Sequence, residues 1–427
     1  MSEWVHSTVG AVTAYQRAGG TPTASTDAYY GGEIPFVTIE DITNGTRFLD
    51  KTVKNLSELG LRTSAAWLIK EPHVLYSMYA TVGKPIINRI ACATNQAIIA
   101  LRASEAIEQE FLFYQLLFIR PQVHKFTSQT TQSNLNASSV RQLPIGYPTS
   151  KVTQRKIAAI LTSIDTAIEK TEALIAKYQQ IKAGLMHDLF TRGVLPNGQL
   201  RPSREQAPEL YQETNEGEIP KDWERKTLGA ACNWFSGGTP SKSNESFWSG
   251  PLPWLSPKDM KQFELGDTQD HVTRQAAFFG SRIAPAGTVF IVVRGMILAH
   301  SFPVVLSTAE FSFNQDVKAV VACQPLSNRY LAYWFVAYTN LFLKKTTEST
   351  HGTKRFDLND LYKIAIGVPT AGEQQRIIKR LDTIERRVAN EAGQRNKLQA
   401  QKLGLMQDLL TGKVTVQADA PGVEAAA

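Results

Sequence analysis

The chain has 427 residues, of which 43% are hydrophobic and 20% charged, and its formal net charge is +7 at pH 7. This composition supports about three folded units with hydrophobic cores, excludes a histone-like basic tail, and only mildly favours an anionic partner. The isolated cysteines Cys92, Cys232 and Cys323 argue against a disulfide framework or zinc site, and no stretch reads as a signal peptide or membrane span, so we expect a cytoplasmic protein that does not contact a membrane.

The chain contains the same sequence pattern twice. The stretch "GGTPTASTDAYYGGEIPFVTIEDI" begins at Gly19, and "GGTPSKSNESFWSGPLPWLSPKDM" begins at Gly237, in the second half of the chain. Further pairs follow in the same order: "FLFY" and "YLAY", "IGYPT" and "IGVPT", "QRKI" and "QRII", then "GLMHDLFTRGV" and "GLMQDLLTGKV". An ordered repeat of this length predicts two similar structural units.

The first copy opens with a mixed domain, predicted over residues 1–145. The apolar run "HVLYSMY" is rich in β-branched and aromatic residues and predicts a strand between turns. The run "QEFLFYQLLFI" predicts a helix, and the stretch "HKFTSQTTQSNLN" that follows soon after it is almost devoid of apolar side chains. We therefore expect a domain of short strands and helices.

A central helical spacer is predicted over residues 146–194, with its helix running from Lys151 to Phe190. The seam residues are Ile157, Leu161, Ile164, Ile168 and Ile175, and the pattern continues through Ile181. Steps of three and four residues are typical of a coiled-coil seam. About 40 residues of helix span roughly 60 Å. A long amphipathic helix lying on its own domain is the alternative.

The second copy repeats this plan after a linker rich in proline and polar residues, residues 195–220. A second mixed domain is predicted over 221–365, with a strand in "TVFIVVR" and a buried helix in "YLAYWFVAYTNLFL". A distal helical spacer is predicted over 366–414, with its helix from Gly372 to Leu410. Its seam residues are Leu381, Ile384, Val388, Leu398 and Leu405. A flexible tail, 415–427, follows.

The order of these parts predicts how the long helices pair. The first helix leaves domain one and leads to domain two, so a second helix that packs on the same seam has to return towards domain one. The predicted fold is therefore α+β: two similar mixed domains separated by an antiparallel coiled coil, with a pseudo-two-fold axis. Two similar domains at a fixed separation suit a ligand with two sites at a fixed separation, such as DNA.

Two polar stretches at the same place in each copy are the best candidates for DNA contact. Cations, amides and hydroxyls are the groups that read base edges and bind phosphates. The candidates are Lys125, Thr127, Ser128, Gln129, Gln132 and Asn134 in copy one, and Lys344, Lys345, His351, Thr353, Lys354 and Arg355 in copy two, with Lys242 and Lys258 as weaker ones. An ordinary solvated loop is the competing interpretation.

Catalytic and metal-binding motifs are missing from the sequence. It contains no GxxxxGK[ST], no HExxH, no GxGxxG after a strand, and no [DN]PP[YF] tetrapeptide. We therefore predict no catalytic residue, no metal site and no cofactor bound by this chain.

The quoted motifs resemble one known family over nearly the whole chain, twice. "SGGTPSKSNESFWSGPLPWLSPKDM" followed by "IGVPTAGEQQRIIKRLDTIERRV" looks like the specificity subunit of type I restriction–modification enzymes. That family precedes each long helix with a pattern of the form IPxPPxxEQxxI. The second copy keeps Glu373 and Gln374, whereas the first has Val152 and Thr153 where Glu-Gln is usual and keeps Gln154. Neither copy has the double proline.

The resemblance implies a non-catalytic, sequence-specific DNA-binding subunit. Each domain would be a target-recognition domain that reads one half of a split DNA sequence. Partners would be double-stranded DNA, two modification subunits that bind S-adenosylmethionine, and motor-nuclease restriction subunits in the restriction enzyme. The long helices would set the unread gap, so an insertion after Gln180 is expected to lengthen it.

Two other kinds of function remain open from the sequence alone. One is a coiled-coil adaptor whose globular domains bind proteins. The other is a DNA methyltransferase or nuclease with cryptic motifs, although two domains and two long helices already use up the chain.

Overall fold

The computed structural model describes residues 3–126, 134–348 and 352–416. The described chain forms two compact units. Unit 1 takes in the described residues of 1–173 and 392–427, and unit 2 takes in those of 174–391. Each unit therefore combines one globular part with one half of each long helix.

Unit 1 is a mixed domain of short strands and helices. Its strands β1 to β10 are Trp4–Thr8, Thr13–Ala18, Tyr30–Val37, Phe48–Leu49, Lys54–Leu56, Val74–Ser77, Pro85–Asn88, Ala93–Thr94, Ile98–Ala103 and Pro144–Pro148. The helices α1 to α6 are Val9–Val12, Ile39–Asn44, Glu58–Arg62, Gln109–Ile119, Ala137–Gln142 and Lys151–Thr191, of which α6 continues into unit 2. The predicted strand in "HVLYSMY" and helix in "QEFLFYQLLFI" are both present.

A five-stranded sheet in the order β2-β9-β6-β7-β4 forms the centre of unit 1. Its neighbours are antiparallel except β4 and β7, which pair parallel. Every residue of β6 and β7 is buried, so both faces of the sheet are covered. Helix α4 packs on it through a fully apolar run that includes Phe111 and Leu112. A smaller sheet, β5-β3-β8, lies in the same unit.

Unit 2 repeats this composition of elements. Its strands β11 to β25 are Tyr211–Thr214, Gly217–Pro220, Glu224–Thr227, Cys232–Ser236, Leu252–Leu255, Glu264–Leu265, Asp270–Val272, Ile283–Ala284, Val289–Val292, Val304–Ser307, Phe311–Phe313, Val317–Ala322, Thr347–Glu348, Lys354–Arg355 and Ala365–Val368. The helices α7 to α12 are Leu228–Ala231, Arg274–Gly280, Asn328–Ala337, Thr339–Lys344, Leu358–Lys363 and Ala371–Leu409, of which α12 continues into unit 1.

The central sheets of the two units share one topology. In unit 2 the order is β14-β22-β19-β20-β16, again antiparallel except for the last pair. Each sheet follows a short helix whose N-cap threonine, Thr8 or Thr227, accepts a backbone N–H three residues on. The predicted α+β fold with two similar mixed domains and two long helices is confirmed.

In unit 2 the long helices α6 and α12 pack antiparallel. The Arg387 guanidinium lies 5.9 Å from the ring centre of Tyr178. One turn further along α6, Lys182 pairs with Glu385, which comes earlier in α12. Residue numbers therefore fall along one helix as they rise along the other.

The corresponding ion pair recurs in unit 1. Lys402 and Asp165 pair at 2.6 Å, with most of both side chains withdrawn from solvent. The two pairs are equivalent in the repeat, because Lys182 and Lys402 are as far apart in sequence as Asp165 and Glu385. The Asp165 carboxylate also accepts a hydrogen bond from the Tyr114 hydroxyl at 2.8 Å. A cross-helix ion pair therefore joins the two long helices within each unit.

The predicted seam residues differ in how far they are buried. Ile157, Leu161, Ile164, Ile168, Ile175, Leu381 and Ile384 are buried, whereas Val388, Leu398 and Leu405 are half-buried. Ile181, which continues the pattern, is 44% exposed. Its neighbour Lys182 makes the cross-helix contact instead.

A glutamine fixes the start of each long helix. The side chain of Gln154 donates to the Pro148 carbonyl at 2.8 Å, and that of Gln374 donates to the Pro369 carbonyl at 3.0 Å. Each glutamine oxygen also accepts a backbone N–H from the N-cap residue of α4 or α9. Matching "QRKI" to "QRII" pairs Gln154 with Gln375, and that pairing is wrong by one residue: Gln374 makes the equivalent bonds.

The segment 195–220, predicted as a linker, is folded where it joins α6. Arg201 is buried and pairs with the buried carboxylate of Glu373, with one N–H···O distance of 3.0 Å. The same carboxylate accepts the Val194 N–H at 2.7 Å and the Trp223 indole N–H at 3.2 Å. A buried carboxylate requires such donors, and they come from segments far apart in sequence, which is why composition alone misses this contact.

None of the helices in the described part of the chain combines the length and apolar character needed to cross a bilayer.

Candidate nucleic-acid interface

One end of the central sheet of unit 1 collects several loops, and we call it the loop edge of unit 1. The Gly20 N–H, in the turn after β2, donates to the Thr94 carbonyl at 2.9 Å. The Met78 N–H, just after β6, donates to the Ala97 carbonyl at 2.8 Å, and the Leu135 N–H donates to the Met78 carbonyl at 2.9 Å. These bonds bring the GGTP turn, the Asn95–Gln96 turn, the loop after β6 and the end of the polar stretch together.

The loop edge of unit 2 is built in the same way. The Gly238 N–H donates to the Phe313 carbonyl at 2.9 Å. The Val293 N–H donates to the Asp316 carbonyl at 2.8 Å, and the Phe356 N–H donates to the Val293 carbonyl at 3.0 Å. The second polar stretch therefore meets the loop after β19, as the first meets the loop after β6.

The GGTP turns are packed too closely for larger residues. A Cβ on Gly237 would overlap with the Phe313 carbonyl oxygen, and a Cβ on Gly19 would overlap with the Thr94 carbonyl oxygen. The threonine of each turn donates to the glutamine of the facing Asn-Gln turn, Thr239 to Gln315 at 2.7 Å and Thr21 to Gln96. The glycines therefore serve close backbone packing at the loop edge.

A buried aspartate braces each loop edge. In unit 2 the Asp259 carboxylate accepts the Ser256 N–H at 3.0 Å, the Ser256 hydroxyl at 2.8 Å and the Gln269 N–H at 3.1 Å. In unit 1 Asp41 makes the equivalent bonds, including one to the Thr38 N–H at 2.7 Å. These hydrogen bonds fix the backbone that follows β3 in unit 1 and β15 in unit 2.

Replacing Asp259 with alanine is expected to lower the free energy of unfolding of unit 2 by about 3 kcal/mol, because it removes a charged acceptor and leaves buried donors unpaired. Lys258→Ala changes the adjacent, exposed residue, whose ion pair is worth about 0–1 kcal/mol, and is the matched control. Denaturant unfolding followed by tryptophan fluorescence measures both, since Trp254 donates to the Gly238 carbonyl nearby at 3.1 Å. Equal free energies of unfolding for the two variants would contradict a stabilising role of the Asp259 carboxylate.

Most of the candidates in the second polar stretch lie on the loop edge of unit 2. Lys344 and Lys345 lie at the end of α10 and are exposed. Lys354 pairs with Glu348 at 2.9 Å across the short β23–β24 hairpin, and Arg355 is exposed beside it. Thr353 is half-buried, and His351 lies outside the described residues.

The candidates in the first polar stretch are only partly described. Lys125 is exposed at the end of a 3-10 turn that follows α4, and Asn134 is half-buried next to Leu135. Thr127, Ser128, Gln129 and Gln132 lie outside the described residues.

The two weaker candidates lie on the same edge of unit 2. Lys242 is exposed just after the GGTP turn. Lys258 follows β15, whose last residue, Leu255, accepts the Asn314 N–H at 2.9 Å. Lys258 also pairs with Asp270 at 2.7 Å, and that hydrogen bond raises the pKa of the Lys258 ammonium. It stays charged near neutral pH and shares its charge with Asp270.

Arg294, directly after Val293, is a further residue of the loop edge of unit 2 that was not among the predicted candidates. The Arg294 guanidinium is half exposed on the loop edge and donates to Asp316 at 2.6 Å. Its position in unit 1 is taken by Tyr79, which is followed by Ala80 in the left-handed region at φ 55°. Non-glycine residues in that region are often found at functional sites. The sequence feature that could have identified Arg294 is a polar side chain directly after a buried strand.

The two loop edges carry different chemistry at equivalent positions. A cavity of about 820 Å³ in unit 1 is lined by apolar side chains such as Phe36 and by polar ones, among them Glu40, Lys54 and Asn55. In the paired GGTP stretches, Glu40 stands in the first copy where Lys258 stands in the second. Carboxylates accept hydrogen bonds from cytosine amino groups, whereas lysine donates to guanine. The two loop edges therefore share a backbone arrangement but present different side-chain groups.

Within residues 3–126, 134–348 and 352–416, no group of three or more His, Cys, Asp or Glu side chains is placed to hold a metal ion. What the loop edges offer is a set of cations, amides and hydroxyls. These groups can bind phosphates and base edges.

These features define a duplicated protein with two similar domains, two long helices and an equivalent polar surface on each domain. A family model described as "Type I restriction modification DNA specificity domain" matches residues 1–180 and 220–400. The chain belongs to this family, as the motifs predicted.

Curated relatives are specificity subunits. The chain is 34% identical over 172 residues to the type I restriction enzyme EcoR124I/EcoR124II specificity subunit of Escherichia coli. That alignment covers 40% of this chain and 42% of the relative. It is 26% identical over 202 residues to the MjaIX specificity subunit of Methanocaldococcus jannaschii, covering 46% of each. These matches therefore span less than half of either relative.

Solved structures share the fold. The S subunit of a type I restriction–modification system from M. genitalium aligns with a TM-score of 0.58 at 14% identity, covering 96% of both chains. A chain from a structural study of complex assembly in the type I system aligns with a TM-score of 0.58 at 18% identity, covering 96% of this chain and 98% of that one.

Proposed function

We propose that this chain is the specificity subunit of a type I restriction–modification complex and reads a DNA sequence in two halves. The observation that carries the proposal is the repeated loop edge: both units gather the same four loops by the same backbone hydrogen bonds, and both share the long helices α6 and α12. Family membership supports the DNA-binding role. The different groups at Glu40 and Lys258 fit different half-sites.

In this proposal residues 1–145 and 221–365 are the two target-recognition domains. The helical spacers, 146–194 and 366–414, form an antiparallel coiled coil that separates the domains around a pseudo-two-fold axis and sets the unread gap. Residues 195–220 connect the first spacer to the second domain, and 415–427 form a tail.

The chain itself is non-catalytic in this proposal, with no cofactor of its own. Two modification subunits, which carry S-adenosylmethionine, dock on it and supply the methyltransferase activity, and restriction subunits join them in the nuclease form. All of this takes place in the cytoplasm, where the DNA is.

The charge balance indicates that partners contribute to DNA affinity. Residues 1–143 hold 12 Lys and Arg against 11 Asp and Glu, and residues 216–364 hold 16 against 14, so the net charges are only +1 and +2. Tight non-specific binding requires many neutralised phosphates. We therefore expect weak DNA binding by the lone chain, and nanomolar specific binding without partners at physiological salt would contradict this.

The DNA role of the second polar stretch is tested with the variant Lys344→Ala/Lys345→Ala in the complex with modification subunits. Each lysine that neutralises a phosphate contributes about 0.9 to the slope of log affinity against log salt. We expect the variant to lower that slope by about 1–2 and to weaken binding to all sequences alike.

Lys363→Ala is the matched control for this measurement. Lys363 is an exposed lysine, 77% of its side chain being accessible. It lies on α11, which contacts α7, the helix that precedes the start of β14. The loop edge lies at the other end of β14, so Lys363 is away from it. An unchanged slope in Lys344→Ala/Lys345→Ala, or an equal change in Lys363→Ala, would show that Lys344 and Lys345 do not contact DNA. A wild-type complex that does not bind DNA would contradict the proposed function.

A further inference from the structure

Two adjacent phenylalanines of unit 2 are turned out into solvent. Phe278 is 80% exposed and Phe279 is 73% exposed, the highest exposures among the large apolar side chains of the described chain. Their rings meet edge to face, with centroids 5.3 Å apart. Exposing two such rings forfeits roughly 1.5–3 kcal/mol each relative to burial, so an exposed pair calls for a ligand that covers it.

The pair lies beside the loop edge of unit 2. It lies in the last turn of helix α8, whose final residue, Gly280, is packed on the GGTP turn so closely that a Cβ on it would lie 2.8 Å from the Pro240 Cα atom. Ser281 donates to the Phe313 carbonyl at 2.6 Å and accepts the Gly238 N–H at 3.3 Å. Short, fixed contacts therefore hold the end of α8 against the proposed DNA surface.

Two exposed cations, Arg282 and Lys242, lie close in sequence to the rings or to the GGTP turn on which the end of α8 is packed. Arg282, three residues after Phe279, lies over the Phe235 ring at 5.0 Å. Lys242 is exposed two residues after Pro240 of the same turn. An apolar pair on a surface that also carries cations matches duplex DNA, in which stacked bases lie between rows of phosphates.

The equivalent place in unit 1 is polar. Helices α3 and α8 have equivalent caps, because Ser57 and Thr273 each accept the backbone N–H three residues on. Counting from the caps, Arg62 and Thr63 take the places of Phe278 and Phe279, and both are exposed. Two copies of one protein partner on two equivalent units would meet equivalent side chains. A difference between the units is what two different DNA half-sites require.

We propose that Phe278 and Phe279 press into the base stack of the half-site bound by unit 2 and unstack one base step there. The inference rests on the proposed function and adds to it a deformation of the DNA in one half-site only. Apolar wedges of this kind open a step and bend the duplex, and the sequence of the opened step then contributes to specificity.

The test uses the wild-type chain assembled with its modification subunits and a duplex that carries its methylated target. 2-Aminopurine replaces, one position at a time, the bases of the second half-site and its flanks, because its fluorescence rises when it is unstacked. We expect a several-fold rise at one step. The variant Phe278→Ala/Phe279→Ala is expected to abolish that rise and to weaken specific binding about ten- to hundredfold.

Two further variants separate a wedge from a loss of structure. Phe278→Leu/Phe279→Leu keeps apolar bulk and is expected to keep part of the fluorescence rise. Arg62→Ala/Thr63→Ala changes the equivalent place in unit 1 and is expected to leave the second half-site signal unchanged. Because both phenylalanines are exposed, we expect the alanine variant to unfold at the wild-type temperature.

Three results would overturn the inference. In the first, the wild-type complex binds its target without a fluorescence rise at any step. In the second, the alanine variant binds as tightly as the wild type. In the third, the folded alanine variant no longer assembles with the modification subunits, which would assign the rings to a protein contact. In all three the wild-type complex still binds a bipartite target, so the proposed function stands; failure to bind such a target would overturn both.

Discussion

Exchanging residues 1–145 for the corresponding segment of a relative with a different target is expected to replace one half of the methylated sequence and to leave the other half unchanged. Each unit has its own central sheet, core and loop edge, so the groups that read one half-site lie within one unit. A mismatched base pair costs about 1–3 kcal/mol, so a half-site of several base pairs is recognised in an almost all-or-none way. Mapping methylated bases in cells that carry each chain measures the outcome.

The structure sets the requirements for this exchange. The incoming domain has to keep the contacts that join it to α6, namely the hydrogen bond from the Tyr114 hydroxyl to Asp165 and the one from the Glu108 N–H to the Gln154 side chain. The reciprocal exchange of residues 221–365 is the matched control and is expected to change the other half only. If either exchange altered both halves, or neither, the assignment of one half-site to each unit would be wrong.

The regular elements were predictable because their signal is local. The run from Gln109 to Ile119 forms α4 with the predicted bounds. The helices α6 and α12 begin and end within one residue of the predicted positions, because an apolar residue at every third or fourth position fixes helix and buried face together. The repeat itself then predicted that both units would share a topology.

The loop edges and the Arg201 contact were not predictable in this way. The loop edge of unit 1 depends on a bond from Leu135 to Met78, and the ion pair of Arg201 with Glu373 joins segments on either side of the whole second domain. Such contacts are set by strand pairing and packing between distant segments. Composition marked the polar stretches as candidates, but only the fold places Arg294 beside the second stretch and the end of α8, with Phe278, against the second GGTP turn.

A matched lengthening of both long helices is expected to widen the unread gap by about three base pairs. Seven added residues lengthen a helix by about 10 Å, which corresponds to about three base pairs of DNA, and a heptad returns the seam to within about 20° of its original direction. Both half-sites are expected to stay the same, because neither loop edge is altered.

The contacts within the units determine where the seven-residue insertions should be placed. After Gln180, the position that the sequence favoured, an insertion would fall between Tyr178 and Lys182, whose partners Arg387 and Glu385 both lie in unit 2. Insertion after residue 173 in α6 and after residue 391 in α12 falls at the boundaries between the units and preserves every one of these pairs. A heptad in α6 alone is the mismatched control, expected to weaken folding and methylation.

Genome-wide mapping of methylated bases in cells carrying the double-insertion variant tests the central claim most directly. We expect the same two half-sites, separated by about three more base pairs than in the wild type. An unchanged gap, with methylation retained, would show that the paired helices do not set the spacing of the target.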